Sequence, residues 1–257
     1  MSKLVLSETR NRVRWITINR PERRNALDSE TIFSLKDALG EAARDPDSRV
    51  LVLTGAGGAF CSGADLWAGR SEGRPPGDVM EDGFNGVIRA IWNLPKPVIA
   101  AVDGVAAGFG CSLALACDVR LASSKARFSL IFVQRALTID GGASYLLPRL
   151  AGLKGVEVAL TGEAVDAEQA ERMGLVNRVV PHDAFHACSA EYAEKMARQA
   201  PLALAAIKAS LHHALESSLD EVLSYEMAEQ RKMVRTSDFR EGLSAFLEKR
   251  EPRYSGR

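Results

Sequence analysis

Pro97-Val98-Ile99-Ala100-Ala101-Val102-Asp103-Gly104-Val105-Ala106-Ala107-Gly108-Phe109-Gly110-Cys111-Ser112-Leu113-Ala114-Leu115-Ala116 passes from strand to turn to helix without a break. The opening run is short, apolar throughout and closed by Asp103-Gly104, the pattern of a strand buried on both faces. Ala106-Ala107-Gly108-Phe109-Gly110 is a glycine-bracketed turn, and the helix formers Leu113 to Ala116 follow directly. A helix opening from such a turn leaves unpaired N–H groups at its start, where negative charge is stabilised.

The same alternation extends in both directions. Val13, Trp15, Ile16 and Ile18 form a strand that stops at Asn19-Arg20-Pro21, and Asp28 then caps a helical pattern through Ile32, Leu35, Ala38 and Leu39. Val50 to Leu53 is a second doubly buried run ending at Gly55-Ala56-Gly57-Gly58, and Val119 to Ala122 and Val176 to Val180 supply later strands. Strands interleaved with helices indicate α/β layering. Gly69 to Phe84, with scattered glycines, prolines and charges, reads as a loop or lid. Asp166 to Gln169 is a capping box opening a short helix closed by Gly174. After Pro201 only helices are expected, over 202–215, 219–234 and 238–249, with Asp238 and Glu241 as a further capping box. The expected division is an α/β core over 1–200 and a helical region over 201–257.

The 257 residues, 46% hydrophobic and 26% charged, suffice for one large core with a helical appendage. Thirty-three basic and 33 acidic side chains cancel, so no global field attracts nucleic acid or a membrane surface. The four cysteines show no CxxC spacing, which favours a reducing cytoplasm. The N-terminus lacks the pattern of a signal or transit peptide, and the apolar region from Pro97 to Leu121 is too interrupted to span a bilayer.

Two further segments carry chemistry. Phe60-Cys61-Ser62-Gly63-Ala64-Asp65-Leu66 follows a buried strand and a glycine loop, so its small residues either allow a ligand close to the backbone, with Ala64 N–H as donor, or form a tight turn into a helix. Leu137-Thr138-Ile139-Asp140-Gly141-Gly142 offers one carboxylate, either an acid/base group or the N-cap of the next helix. Ser112 lacks the nucleophile elbow of a serine hydrolase, and His182, His186, His212 and His213 all lie late in the chain. His182 and His186 have no further ligand at metal spacing and read as solvated helix residues. Trp67 and Trp92 flank the proposed lid as walls of a pocket or as ordinary packing, and Glu163 reads as structural.

Taken in order, Asn19-Arg20-Pro21 with Asn25-Ala26-Leu27, Phe60 to Leu66, Lys96 to Val102, Gly108 to Ala114 with Cys117-Asp118, and Leu160-Thr161-Gly162-Glu163 resemble the crotonase, or enoyl-CoA hydratase/isomerase, superfamily. Glu241-Gly242, Ala245-Phe246 and Glu248-Lys249-Arg250 extend the likeness to the C-terminus. The resemblance implies a spiral of ββα units, a C-terminal helical trimerisation region giving a homotrimer or dimer of trimers, and an acyl-CoA thioester as ligand. It implies no metal and no cofactor beyond the coenzyme A moiety of the substrate. It further implies that the N–H groups of Ala64 and Phe109 hold the thioester oxygen. Ala26, Ala64, Asp65 and Leu66 would line the pantetheine and adenine path. Arg24 would meet phosphates, with Arg23 as the alternative, and Phe246 and Lys249 would complete the site of an adjoining subunit.

The chain departs from this pattern where hydratases carry two glutamates, because Ser112 and Phe132 stand at the matching positions. Asp140 matches the place where isomerase-like members keep a single acid. The expected activity is therefore enoyl-CoA double-bond isomerisation with Asp140 as acid/base. The alternatives are hydration of a 2-enoyl-CoA, or a CoA-binding assembly protein without turnover.

Overall fold

Nine strands and the helices between them are described in a computed structural model that covers residues 3–65 and 76–257. The strands are β1 (Val5–Arg10), β2 (Val13–Ile18), β3 (Val50–Gly55), β4 (Val98–Val102), β5 (Val105–Ala107), β6 (Val119–Ser123), β7 (Arg127–Ser129), β8 (Ala164–Asp166) and β9 (Arg178–Val180). They form a six-stranded sheet in the order β1-β2-β3-β4-β6-β9 and a three-stranded sheet in the order β5-β7-β8. In the larger sheet only β1 and β2 are antiparallel.

Alternation along the doubly buried strands divides the apolar residues between two layers. Ile16, Ile18, Leu51, Leu53, Val98, Ala100 and Val102 face the larger core, while Val13, Trp15, Val50, Val52, Ile99 and Ala101 face the smaller one. Successive side chains of a strand point to opposite faces, so a run without polar residues needs cover on both. Each fully buried large aliphatic side chain contributes about 1.5–3 kcal/mol.

The first cover is α1 (Ser29–Arg44), whose N-cap Asp28 accepts from Thr31 N–H, and which buries Ile32, Leu35 and Leu39. Next come α2 (Pro76–Asp78), a π-helical stretch over Val79–Asn85, and α3 (Gly86–Trp92). The lid expected over Gly69 to Phe84 is thus corrected from residue 76 onward: Val79 and Phe84 are buried and anchor a helical wall. The part of that expectation before residue 76, with Leu66 and Trp67, lies outside the described residues.

Beyond them follow α4 (Phe109–Ala116), α5 (Ala143–Thr161), α6 (Ala167–Arg172) and α7 (Phe185–Ala197). The expected capping box at Asp166 and Gln169 is present on α6. From residue 201 onward the chain forms α8 (Pro201–Ala214), α9 (Leu219–Met233) and α10 (Ser237–Glu248). Lys208 of α8 is buried and reaches Asp118 at 2.8 Å and the Ile91 carbonyl at 2.9 Å, tying these helices to the core.

The capping box expected at Asp238 and Glu241 is not formed. Thr236 caps α10 instead, accepting from Phe239 N–H, while Asp238 accepts from the N–H groups of Ser255 and Gly256. Glu241 is held by Arg250 at 2.6 and 2.9 Å and by Arg253 N–H at 2.7 Å. The returning C-terminal tail brings its own donors to both carboxylates, a long-range effect that a local motif cannot register. Among the described residues, no helix is long and apolar enough to cross a membrane.

Candidate active site

The segment around Cys61 and the turn before α4 are joined backbone to backbone. Cys61 pairs with Ala106, Ala107 N–H donates to the Cys61 carbonyl at 2.9 Å, and Leu27 pairs with Ala64. Gly110 permits this approach, since a Cβ there would lie 2.1 Å from the Cys61 oxygen. Gly63, at φ 99°, does the same from the other side: a Cβ on it would sit 2.8 Å from the Ala107 oxygen and 3.4 Å from Phe109 N. The Gly63-Ala64 peptide therefore lies beside the first N–H of α4.

Phe109 is the first residue of α4, so its N–H has no partner within the helix, and Gly108 caps it without a side chain. Neither Phe109 N–H nor Ala64 N–H donates to any other described group. Gly108 adopts φ 52° and ψ −127°, a conformation essentially reserved for glycine, and its own N–H is held by the Ser129 carbonyl at 2.9 Å. Two unpartnered backbone donors thus meet at one place, the arrangement that stabilises an oxygen gaining negative charge.

Asp140 enters from the loop before α5. Its backbone carbonyl, not its carboxylate, accepts from Ala143 N–H at 3.1 Å, and α5 has no side-chain cap, so the N-cap reading is not how this residue is used. The side-chain Oδ1 is shielded from solvent and has no hydrogen-bond partner. Burial pushes Asp140 up to about 6.

A cleft of about 620 Å³ collects these groups: Arg24, Ala26, Ala64, Asp65, Phe109 and Asp140 all line it. Leu66 lies outside the described residues. Phe246, 81% exposed on α10, and Lys249, its C-cap, do not line this cleft. Arg23 and Arg24 both stand at its rim, while Arg20 is committed to structure, pairing with Asp28 and Asp65 at 3.1 Å each. Sequence reasoning missed Val105, Ile131, Arg135 and Leu137 as wall residues; only their neighbourhood to the glycine turn and to Asp140 offered a clue.

Of the two residues that the sequence resemblance sets where hydratases carry acids, Ser112 is fully buried on α4 and Phe132 is a buried wall residue. Ile131, next to Phe132, comes nearest the turn, 3.8 Å from a Cβ placed on Gly108, and it too is apolar. Among the described lining residues the acids are Glu22, Asp65 and Asp140, of which Asp65 is paired with Arg20.

Other sequence candidates fall elsewhere. Trp92 stacks on His212 with ring centroids 3.6 Å apart and does not line this cleft. His182 is not simply solvated, since Nδ1 lies 3.0 Å from Asp103, and His186 stacks on Trp15. Among the described residues no cluster of His, Cys, Asp and Glu is placed to hold a metal.

Gly141, at φ 59°, locks the Asp140 turn onto α4: a Cβ there would lie 2.7 Å from Ser112 Cβ and 3.0 Å from the Phe109 ring. Left-handed strain and overpacking add, so Gly141→Ala is expected to cost about 2 kcal/mol or more. Denaturant unfolding checks this, and a change below about 0.5 kcal/mol contradicts it.

The description "Enoyl-CoA hydratase/isomerase" belongs to the family model that matches residues 8–257. The chain is 38% identical over 262 aligned positions, covering 100% of both proteins, to an Escherichia coli protein named 1,2-epoxyphenylacetyl-CoA isomerase. It is 41% identical over 243 positions, 94% of each, to a probable enoyl-CoA hydratase of Rhodobacter capsulatus. A crystal structure of enoyl-CoA hydratase from Bacillus anthracis superposes with a TM-score of 0.93 at 33% identity, covering 99% of this chain and 100% of that one. The chain belongs to the enoyl-CoA hydratase/isomerase family of the crotonase superfamily, and it is an enzyme.

Proposed function

We propose that the protein isomerises the double bond of an enoyl-CoA thioester, with Asp140 as the single proton carrier and the N–H groups of Ala64 and Phe109 holding the thioester oxygen. The observation that carries this reading is one unpaired, half-buried carboxylate in the same cleft as two unpartnered backbone donors. Ionised Asp140 removes a proton from C2 of a 3-enoyl thioester, and the electron pair moves to the thioester oxygen, where the two N–H groups stabilise it. The protonated carboxyl then returns the same proton to C4, leaving a 2-enoyl thioester. No redox change occurs, so the step needs no cofactor beyond the coenzyme A moiety already on the substrate.

Hydration is the second reading, favoured by the identity to the Rhodobacter protein. It requires one group to activate water and another to deliver a proton, whereas Ser112 and Phe132 stand where the resemblance would put the two hydratase glutamates, and the neighbouring wall residue Ile131 is apolar too. Arg23 and Arg24, at the rim, would meet coenzyme A phosphates, with Ala26, Ala64 and Asp65 along its path; Leu66, outside the described residues, is assigned to that path by the sequence resemblance alone. Phe246 and Lys249, which do not line this cleft in their own chain, would serve a neighbouring subunit of a homotrimer or dimer of trimers in the cytoplasm.

The deciding experiment is a panel of acyl-CoA thioesters in heavy water, followed for exchange at C2, migration of the double bond and addition of water. Isomerisation and exchange without hydration are expected. Hydration of crotonyl-CoA at an enzymatic rate overturns the assignment in favour of a hydratase, and binding with neither reaction favours an assembly role.

A further inference from the structure

Two buried polar atoms near the reaction centre lack hydrogen-bond partners, Ser112 Oγ and Asp140 Oδ1, and among the described residues only Ser189 Oγ shares that condition. A fully buried hydroxyl inside an otherwise apolar helix is costly unless it is paired, and Cys111, Leu113 and Ala114 on either side of Ser112 show what α4 ordinarily places there. The two orphans come from different elements that meet at Gly141, whose absent Cβ would lie 2.7 Å from Ser112 Cβ and which directly follows Asp140. One is a donor with a rotatable hydrogen; the other, once ionised, is purely an acceptor.

We propose that the Ser112 hydroxyl donates toward Asp140 Oδ1 through a single bridging water and so positions the carboxylate that carries the proton. Ser112 is then a positioning residue that acts through Asp140, at the place where hydratases of the family hold an acid. This rests on the isomerase reading above.

The pairing has a signed consequence. A hydrogen bond given to the ionised form favours it, opposing the burial that pushes Asp140 upward. The charged groups facing the cleft from other elements are Glu22, Arg23, Arg24, Asp65 and Arg135. The cause of the Asp140 shift is desolvation by burial. Removing the hydroxyl therefore leaves burial unopposed.

The test compares wild type with Ser112→Ala in two measurements. In the pH profile of kcat on a 3-enoyl-CoA, the midpoint is expected to rise by roughly 0.5–1 unit, with KM unchanged. In thermal unfolding, Ser112→Ala should be destabilised more at pH 7.5 than at pH 5, and this difference should vanish in an Asp140→Asn background. An unshifted kcat midpoint, or a Tm difference from wild type that is the same at pH 5 and pH 7.5, overturns the proposal. If Asp140→Asn stays active, the isomerase reading fails instead, while the unfolding measurement still decides whether Ser112 and Asp140 are coupled.

Discussion

Asp140→Asn is expected to lower double-bond isomerisation by roughly 10³-fold or more while leaving coenzyme A binding within about twofold, because it removes the carboxylate proposed to carry the proton and keeps the site's shape. The pH dependence of the wild-type enzyme follows from the same group. The base must be ionised to start the reaction, and burial pushes Asp140 up to about 6, so kcat should rise as pH increases through about 6 and level off above it. Stability runs the other way. With the native value above the ordinary 3.8, the folded state binds more protons than the unfolded one between those values, so stability is lost as pH rises through them. Asp140→Asn removes that loss and is expected to unfold at a higher temperature than wild type at pH 7. Calorimetry and stopped assays on the same preparations measure both. An Asn variant that keeps more than a tenth of the wild-type rate would falsify the role assigned to Asp140.

Gly108→Ala carries the second large effect, and it separates geometry from packing. A Cβ at Gly108 meets nothing nearer than Ile131 Cγ2 at 3.8 Å, so there is room for the methyl group. What alanine cannot readily adopt is φ 52° with ψ −127°. Relief of that strain must turn the peptide that leads into Phe109, swinging its N–H away from the oxygen it would hold. Loss of one oxyanion donor typically costs about 10²–10³ in kcat. The variant is therefore expected to fold, to bind coenzyme A, and to lose activity on that scale, mainly in kcat. A folded Gly108→Ala protein with near-normal kcat removes the Phe109 N–H from the mechanism.

The contrast between Asp140 and Asp238 shows why some of this was legible in the sequence. Both were candidates for helix caps by local spacing. Asp238 instead takes the N–H groups that Ser255 and Gly256 of the returning tail offer, and Asp140 Oδ1 has no partner among the described residues, with Gly141 and Gly142 after it in left-handed conformation. A cap motif describes what is locally available, and long-range donors or an absence of donors can override it. The strand β1 went unread for a related reason: it is an edge strand with five of its six residues exposed, so it has no apolar run to reveal it. The helical wall at 76–92 was hidden by glycines and prolines, although Val79, Phe84, Val87 and Ile91 pack into the core.

What the sequence by itself determined was the layering and the class of chemistry. Doubly apolar strands demand cover on both faces, and a glycine-opened helix leaves its first N–H groups bare, that of Phe109 among them, whereas the pairing of Ala64 with Phe109 came from the resemblance to the crotonase superfamily. Only the tertiary structure decided which groups share the cleft and in what electrostatic state. Whether Arg20, Arg23 or Arg24 is free to meet a ligand, whether Asp140 caps or stands unpaired, and how far burial lifts its protonation all depend on residues distant in the chain. Burial and pairing are sums over everything that packs around a group, and no stretch of sequence contains its own neighbours.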